Sequence, residues 1–80
     1  DISALGIVVY PNPTKDIITI ETRLNIEIEL YDVMGKKLIE EKNIKHLELS
    51  HLSNGIYNLT IIHKDVRYSK KVIKQWENYY

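Results

Sequence analysis

Hydrophobic and polar residues alternate one by one through much of this chain. In Leu24-Asn25-Ile26-Glu27-Ile28-Glu29-Leu30 the alternation is strict. A period of two belongs to a β-strand with one face on a core and the other in water. Leu24, Ile26, Ile28 and Leu30 are therefore expected to point inward, and Glu27 and Glu29 outward. The same reading places strands at 7–10, 16–21, 24–32, 36–42, 45–49, 55–63 and 66–74. In these, Ile18, Ile20, Leu47, Leu49, Tyr57, Leu59 and Ile61 face inward, and Thr19, Asn58 and Thr60 outward. In the last run the alternation would bury Lys70, so a β-bulge is expected between Tyr68 and Val72 to re-aim the side chains. A helix over 36–52 is the competing assignment. Its apolar positions fit a 3.6 repeat poorly, and Gly35 and Asn43 interrupt it.

Turn chemistry separates the runs. Asp32-Val33-Met34-Gly35 has Asp first and Gly fourth, the preference of a type I turn closing a hairpin. Asn54-Gly55 is expected to supply two positive φ angles before the sixth strand. Lys64-Asp65 is a short link between two strong strands. Pro11-Asn12-Pro13 fixes φ twice and removes two amide donors, so it ends the first strand and stays out of a central ladder. Seven short strands at this spacing predict an all-β fold, a seven-stranded antiparallel immunoglobulin-like β-sandwich.

Composition supports strands. Ile occurs 13 times and Val 5 among the 80 residues, while Ala occurs once and Phe is absent. β-Branched side chains are stiff at χ1 and suit a pleated surface. A chain this short holds one domain. No run of 18 apolar residues is present to form a spanning helix. With no Cys, disulfides, thiolate metal sites and cysteine catalysis are excluded. The first residue is Asp1, not Met, which is expected of a piece or a processed form of a longer polypeptide.

Candidate chemistry is sparse. His46, His51 and His63 follow no zinc spacing, so no metal and no cofactor are expected. Ser50, His51 and Asp65 lack a nucleophile elbow, and Glu27 with Glu29 reads as a solvated strand face. Three glycines exclude a Gly-rich phosphate loop, and so short a chain leaves little room for a lined pocket. Catalysis and a small-molecule substrate are not expected.

Charge is more informative locally than in total. Eleven basic and eleven acidic residues cancel, which argues against nucleic acid as a partner. Residues 1–32 nevertheless hold six acids against two bases, net −4. Residues 63–74 hold Lys64, Arg67, Lys70, Lys71 and Lys74 against Asp65, net +4. Such a basic strand is either a docking edge for an acidic partner or an anionic sugar–phosphate surface, or an edge protected from aggregation by its lysines. Trp76, Tyr79 and Tyr80 put three aromatics in the last five residues, either a contact patch or an overhang packed on the domain itself.

Taken in order, five motifs stand out. They are Tyr10-Pro11-Asn12-Pro13, then Asp16 with Ile18 and Ile20, then the strand and turn over 28–35, then the turn and strand over 49–57, and last Lys71-Val72-Ile73-Lys74. Together they resemble the C-terminal sorting domain of proteins exported by the type IX secretion system of Bacteroidetes. The resemblance covers about residues 7–74, with 1–6 as a linker and processing junction and 75–80 as a C-terminal extension.

The resemblance implies a secretion signal rather than a catalyst. Such domains direct an upstream cargo domain in the same chain from the periplasm through outer-membrane translocon proteins. A sortase-like cysteine peptidase then removes the domain, and the cargo is attached at the cell surface or released. By position, Pro11, Asn12 and Pro13 match the first family motif and Gly35 the turn glycine. Leu49, Leu52, Gly55 and Tyr57 match the third motif, and Lys71 and Lys74 the terminal basic one. Prolines, glycines, leucines and Tyr57 read as fold residues. Lys71 and Lys74, with Lys70 and Arg67 on the same strand, are the expected translocon contacts, because charged heads stay wet. Ser3, Ala4 and Gly6 are small enough for a narrow peptidase cleft. The family usually ends near its terminal lysine motif, whereas here residues 75–80 follow. The alternative is an accessory carbohydrate-binding or spacer sandwich, which needs a row of exposed aromatics. Tyr31, Tyr68, Trp76, Tyr79 and Tyr80 do not form one strand face.

Overall fold

The computed structural model describes residues 2–75. Seven strands follow a one-turn 3-10 helix at Ile2–Leu5. They are β1 (Val8–Tyr10), β2 (Ile17–Glu21), β3 (Glu27–Tyr31), β4 (Lys37–Lys42), β5 (His46–Glu48), β6 (Gly55–His63) and β7 (Val66–Lys74). Two sheets form, one of three strands in the order β1-β2-β5 and one of four in the order β4-β3-β6-β7. All pairings between these strands are antiparallel, so the molecule is an all-β sandwich. Residues 36–52 form β4 and β5, not a helix.

The period-two pattern sets the core. Ile18 and Ile20 of β2 face Ile28 and Leu30 of β3 and Leu59 and Ile61 of β6, all six at most 1% exposed. Ile7, Val9, Ile26, Leu47, Leu49, Tyr57 and Val72 belong to the same cluster. Burying a side chain of this size contributes about 1.5–3 kcal/mol. Leu24 lies at the margin and is half-buried.

Four local expectations change. First, β6 and β7 pair without a register shift from Gly55 opposite Lys74 to His63 opposite Val66, so the last strand has no bulge. Lys70 does face inward, opposite Leu59, and is half-buried. β7 is an edge strand, so the lysine stem can lie on the core rim while its ammonium passes the edge into water. The irregularity lies instead in the β3–β4 pairing, between Leu30 and Tyr31.

Second, Gly55 has no positive φ; it begins β6 opposite Lys74. The two consecutive positive φ angles occur at Lys64 (51°) and Asp65 (65°), which make the two-residue loop joining β6 to β7. Third, residues 2–6 are not a loose linker. Ile2 is 7% exposed and belongs to the core cluster, and the Gly6 amide donates to the Ser3 carbonyl at 3.1 Å. An apolar side chain at the chain's start is held by the same burial that holds the strands.

Fourth, Glu29 is not a wet residue. It is 8% exposed, covered by Tyr31, Lys37 and Arg67 on the outer face of the four-stranded sheet. Thr60, which lies between Glu29 and Ser69 in the ladder, is likewise buried at 7%. The alternation gives the face correctly but not what covers it.

Candidate functional site

Strand direction sorts the chain into two ends. Strand β1 runs away from the N-terminal turn and delivers Pro11-Asn12-Pro13 to the opposite end, where β2 starts its return. That end also holds the β3–β4 turn, the start of β6 and the finish of β7. Motifs far apart in sequence therefore meet at one pole, while the N-terminal turn lies at the other.

At the motif pole, Asn12 works as a piece of strand. Its side-chain amide donates to the Lys71 carbonyl at 2.8 Å, and its Oδ1 accepts from the Ile73 amide at 3.0 Å. The next residues continue the pairing. The Thr14 amide donates to the Ile73 carbonyl at 2.8 Å, and the Gln75 amide to the Thr14 carbonyl at 2.8 Å. Thr14 and Lys74 form an isolated parallel bridge. The flanking prolines suit this place, since neither is asked to donate to a ladder. Thr14 is 2% exposed and its hydroxyl donates to the Ile17 carbonyl at 2.7 Å. Sequence reasoning missed Thr14; its only signal was a polar residue immediately after the proline pair.

Lys74 is the main correction among the expected contact residues. It is 7% exposed, and its ammonium donates to the Leu52 carbonyl and, at 3.4 Å, to the Ser50 carbonyl. The premise of a wet charged head fails here. The turn over 49–52 has carbonyls without strand partners, and a lysine on the neighbouring strand supplies the donor. Leu49 is fully buried, and Leu52 is half-buried with its amide donating to the Leu49 carbonyl at 3.0 Å. The Tyr57 hydroxyl donates to the Ser53 carbonyl at 2.6 Å. Leu49, Leu52, Gly55, Tyr57 and Lys74 thus build one corner together.

The turn of 32–35 is closed by its own acid. The Asp32 carboxylate accepts from the amides of Met34 and Lys36, both at 2.9 Å. Gly35 has φ 85°, in the left-handed region that glycine enters without a Cβ penalty. Val33 (76%) and Met34 (87%) are left largely exposed. An open groove of about 460 Å³ beside them is lined in part by Tyr31, Ile56 and Lys71.

The cations of β7 are not equivalent. Lys71 is exposed and its side chain has no acidic partner within salt-bridge distance among the described residues. Lys70 is half-buried on the inner rim. Arg67 reaches across β6 to Glu29 but keeps 55% of its side chain exposed. The Tyr31 hydroxyl donates to Glu29 at 2.7 Å, and Lys37 pairs with the same carboxylate at 3.2 Å. These partners, Tyr31 first, hold the Glu29 carboxyl down at about 2 despite the opposing effect of desolvation. The same contact raises the Tyr31 phenol and the Lys37 ammonium.

The three histidines stay apart. The His46 ring lies 3.3 Å from the Thr19 hydroxyl, His63 Nδ1 is 3.1 Å from the Asn25 carbonyl, and His51 sits exposed in a turn. Among the described residues no group of His, Asp and Glu has metal-holding geometry. Trp76, Tyr79 and Tyr80 lie outside the described residues.

The chain matches the secretion system C-terminal sorting domain over residues 8–75. It belongs to that family. No curated protein matches it. The sorting domain is a type IX secretion signal, and the polypeptide that carries it is exported to the cell surface or secreted. It acts as a tag, engaging the secretion machinery on behalf of an upstream cargo region. The carbohydrate-binding alternative is not favoured.

Proposed function

We propose that outer-membrane translocon proteins read this sorting domain at its motif pole and along β7, with Lys71, Lys70 and Arg67 as contacts. The observation that carries this reading is the convergence of separated motifs at the pole farthest from the N-terminal turn, where cargo would attach. A folded cargo at one end leaves the other end free to enter a receptor. Lys74 and Asn12 act indirectly: they hold β7 against the first and third motifs and so fix where Lys71 stands. Pro11, Pro13, Gly35, Leu49, Leu52, Gly55 and Tyr57 shape the same pole.

After export, a sortase-like cysteine peptidase separates the domain from its cargo. Protease clefts bind extended chain, and Ile2 is locked into the core. The cut therefore falls on the N-terminal side of Ile2, and a cut among Ser3, Ala4 and Gly6 requires the 3-10 turn to open first.

The test is a secreted reporter carrying residues 1–80 at its C-terminus in a host with a type IX system. Surface delivery is expected, and reversal of the exposed Lys71 together with the half-buried Lys70, Lys70→Glu with Lys71→Glu, is expected to reduce it while the purified domain stays folded at the export temperature. A reporter that stays in the periplasm, beside a working family control, would overturn the reading. Full export of the reversed variant would remove the two lysines from it.

A further inference from the structure

Strand β7 is an outer edge of the four-stranded sheet, and its backbone is open along half its length. The two-residue loop makes His63 and Val66 the closing pair of the hairpin. Residues 66, 68, 70, 72 and 74 consequently turn their amides and carbonyls toward β6, and 67, 69, 71 and 73 turn theirs away. Bonds at the motif pole verify this alternation, because Asn12 and Thr14 take up the Lys71 carbonyl and both groups of Ile73 from outside the sheet. That leaves the amide and carbonyl of Arg67 and of Ser69, and the amide of Lys71, aimed off the edge. No bond to them occurs among the described residues. Val66, Arg67, Ser69 and Lys71 are all exposed.

We infer that this open stretch, residues 67–71, is a strand-addition site for an extended segment of a partner protein in which acidic residues alternate with apolar ones. The inference rests on the reading of the domain as a recognised address and names how the address is read. Three observations define the occupant. A row of backbone groups two residues apart selects an extended strand. On the outer face, Arg67 and Lys71 flank Ser69, so acidic side chains at alternate positions of the added strand meet cations. Along the edge runs an open groove of about 320 Å³ lined by Ile2, Arg67, Tyr68, Ser69 and Lys70, in which Ile2 and Tyr68 offer apolar surface to the side chains between them. The Asn12–Thr14 segment stops the site at Lys71 and shows that this edge already accepts strand-like pairing. A second copy of the chain is a poor occupant, since edge-to-edge pairing would set Arg67 and Lys71 against their own equivalents.

The probe is a fluorescein-labelled peptide of alternating Glu and Val, with an alternating Lys and Val peptide as control. Binding to the purified 80-residue domain is read by anisotropy at low salt. The Glu peptide is expected to bind and the Lys peptide not. Ser69→Pro removes an amide that β6 does not use, so the fold is retained while binding weakens by at least about fivefold, the loss of one backbone hydrogen bond. A measurement without any variant runs alongside. In the free domain the amides of Arg67, Ser69 and Lys71 exchange with solvent far faster than those of Tyr68, Lys70 and Val72, and the Glu peptide slows the first set. Equal binding by Ser69→Pro, unchanged exchange, binding of both peptides alike, or self-association in place of peptide binding each overturn strand addition. Normal export of a reporter bearing Ser69→Pro would also overturn it and leave the sorting function standing.

Discussion

Asn12 offers a quantitative check on how the motif pole is held. Asn12→Ala deletes two hydrogen bonds, the donor to the Lys71 carbonyl at 2.8 Å and the acceptor for the Ile73 amide at 3.0 Å. A net contribution of about 0.5–1.5 kcal/mol each gives a range of about 1–3 kcal/mol for the pair. Both bonds lie at the surface, where water replaces part of the loss, so the lower half applies, about 1–2 kcal/mol. For a domain of this size that lowers the melting temperature by about 4–16 °C. Asn12→Asp separates the two bonds. It keeps the acceptor for Ile73 but sets a carboxylate oxygen against the Lys71 carbonyl, so at neutral pH it is at least as unstable as the alanine variant. Acidification through the ordinary carboxyl range protonates that oxygen, restores a donor and narrows the gap. Urea unfolding of the three proteins at two pH values, with amide exchange at Ile73 as the local readout, measures all of this. A cost below about 0.3 kcal/mol for Asn12→Ala, with unchanged exchange at Ile73, would refute the claim that the side chain clasps β7.

Lys74→Ala strands the Ser50 and Leu52 carbonyls and is expected to destabilise by about 1–3 kcal/mol, whereas Lys71→Ala stays within about 0.5 kcal/mol; thermal melts of both decide whether a loss of export reflects folding or contact. Glu29 titrates at about 2 in the folded domain, below its unfolded value, so its ionised contacts with Tyr31, Lys37 and Arg67 stabilise fully above the ordinary carboxyl range and are lost as pH falls toward 2. Glu29→Gln should flatten that part of the stability–pH curve, and an unchanged acid limb counts against the cluster. Replacing Lys64-Asp65 by Asn-Gly suits their two positive φ angles and is expected to stabilise by about 0.5–1 kcal/mol, read from the urea midpoint.

Much of the fold was legible in the chain because a strand's inside and outside follow from a period of two. Ile18, Ile20, Ile28, Leu30, Leu59 and Ile61 all face the core as their alternation requires. The Asp32–Gly35 turn was legible for a similar reason, since its side-chain and left-handed requirements are local. Glu29 was not. Its strand neighbours give its face, but Lys37 and Arg67 arrive from 8 and 38 residues away in sequence, and nothing local announces them.

The motifs of the sorting domain were likewise visible as residues before their work was. Pro11-Asn12-Pro13 read as a strand stop, yet Asn12 is a rung on the far edge of β7, 59 residues from Lys71. Lys74 read as a wet contact, yet it is a buried donor to a turn 22 residues upstream. Alternation is a property of one strand, and the sequence determines it alone. Which polar group satisfies which depends on strand order and register, and those are decided only when the two sheets close over their shared core and bring distant backbone atoms within 3 Å or so of a side chain.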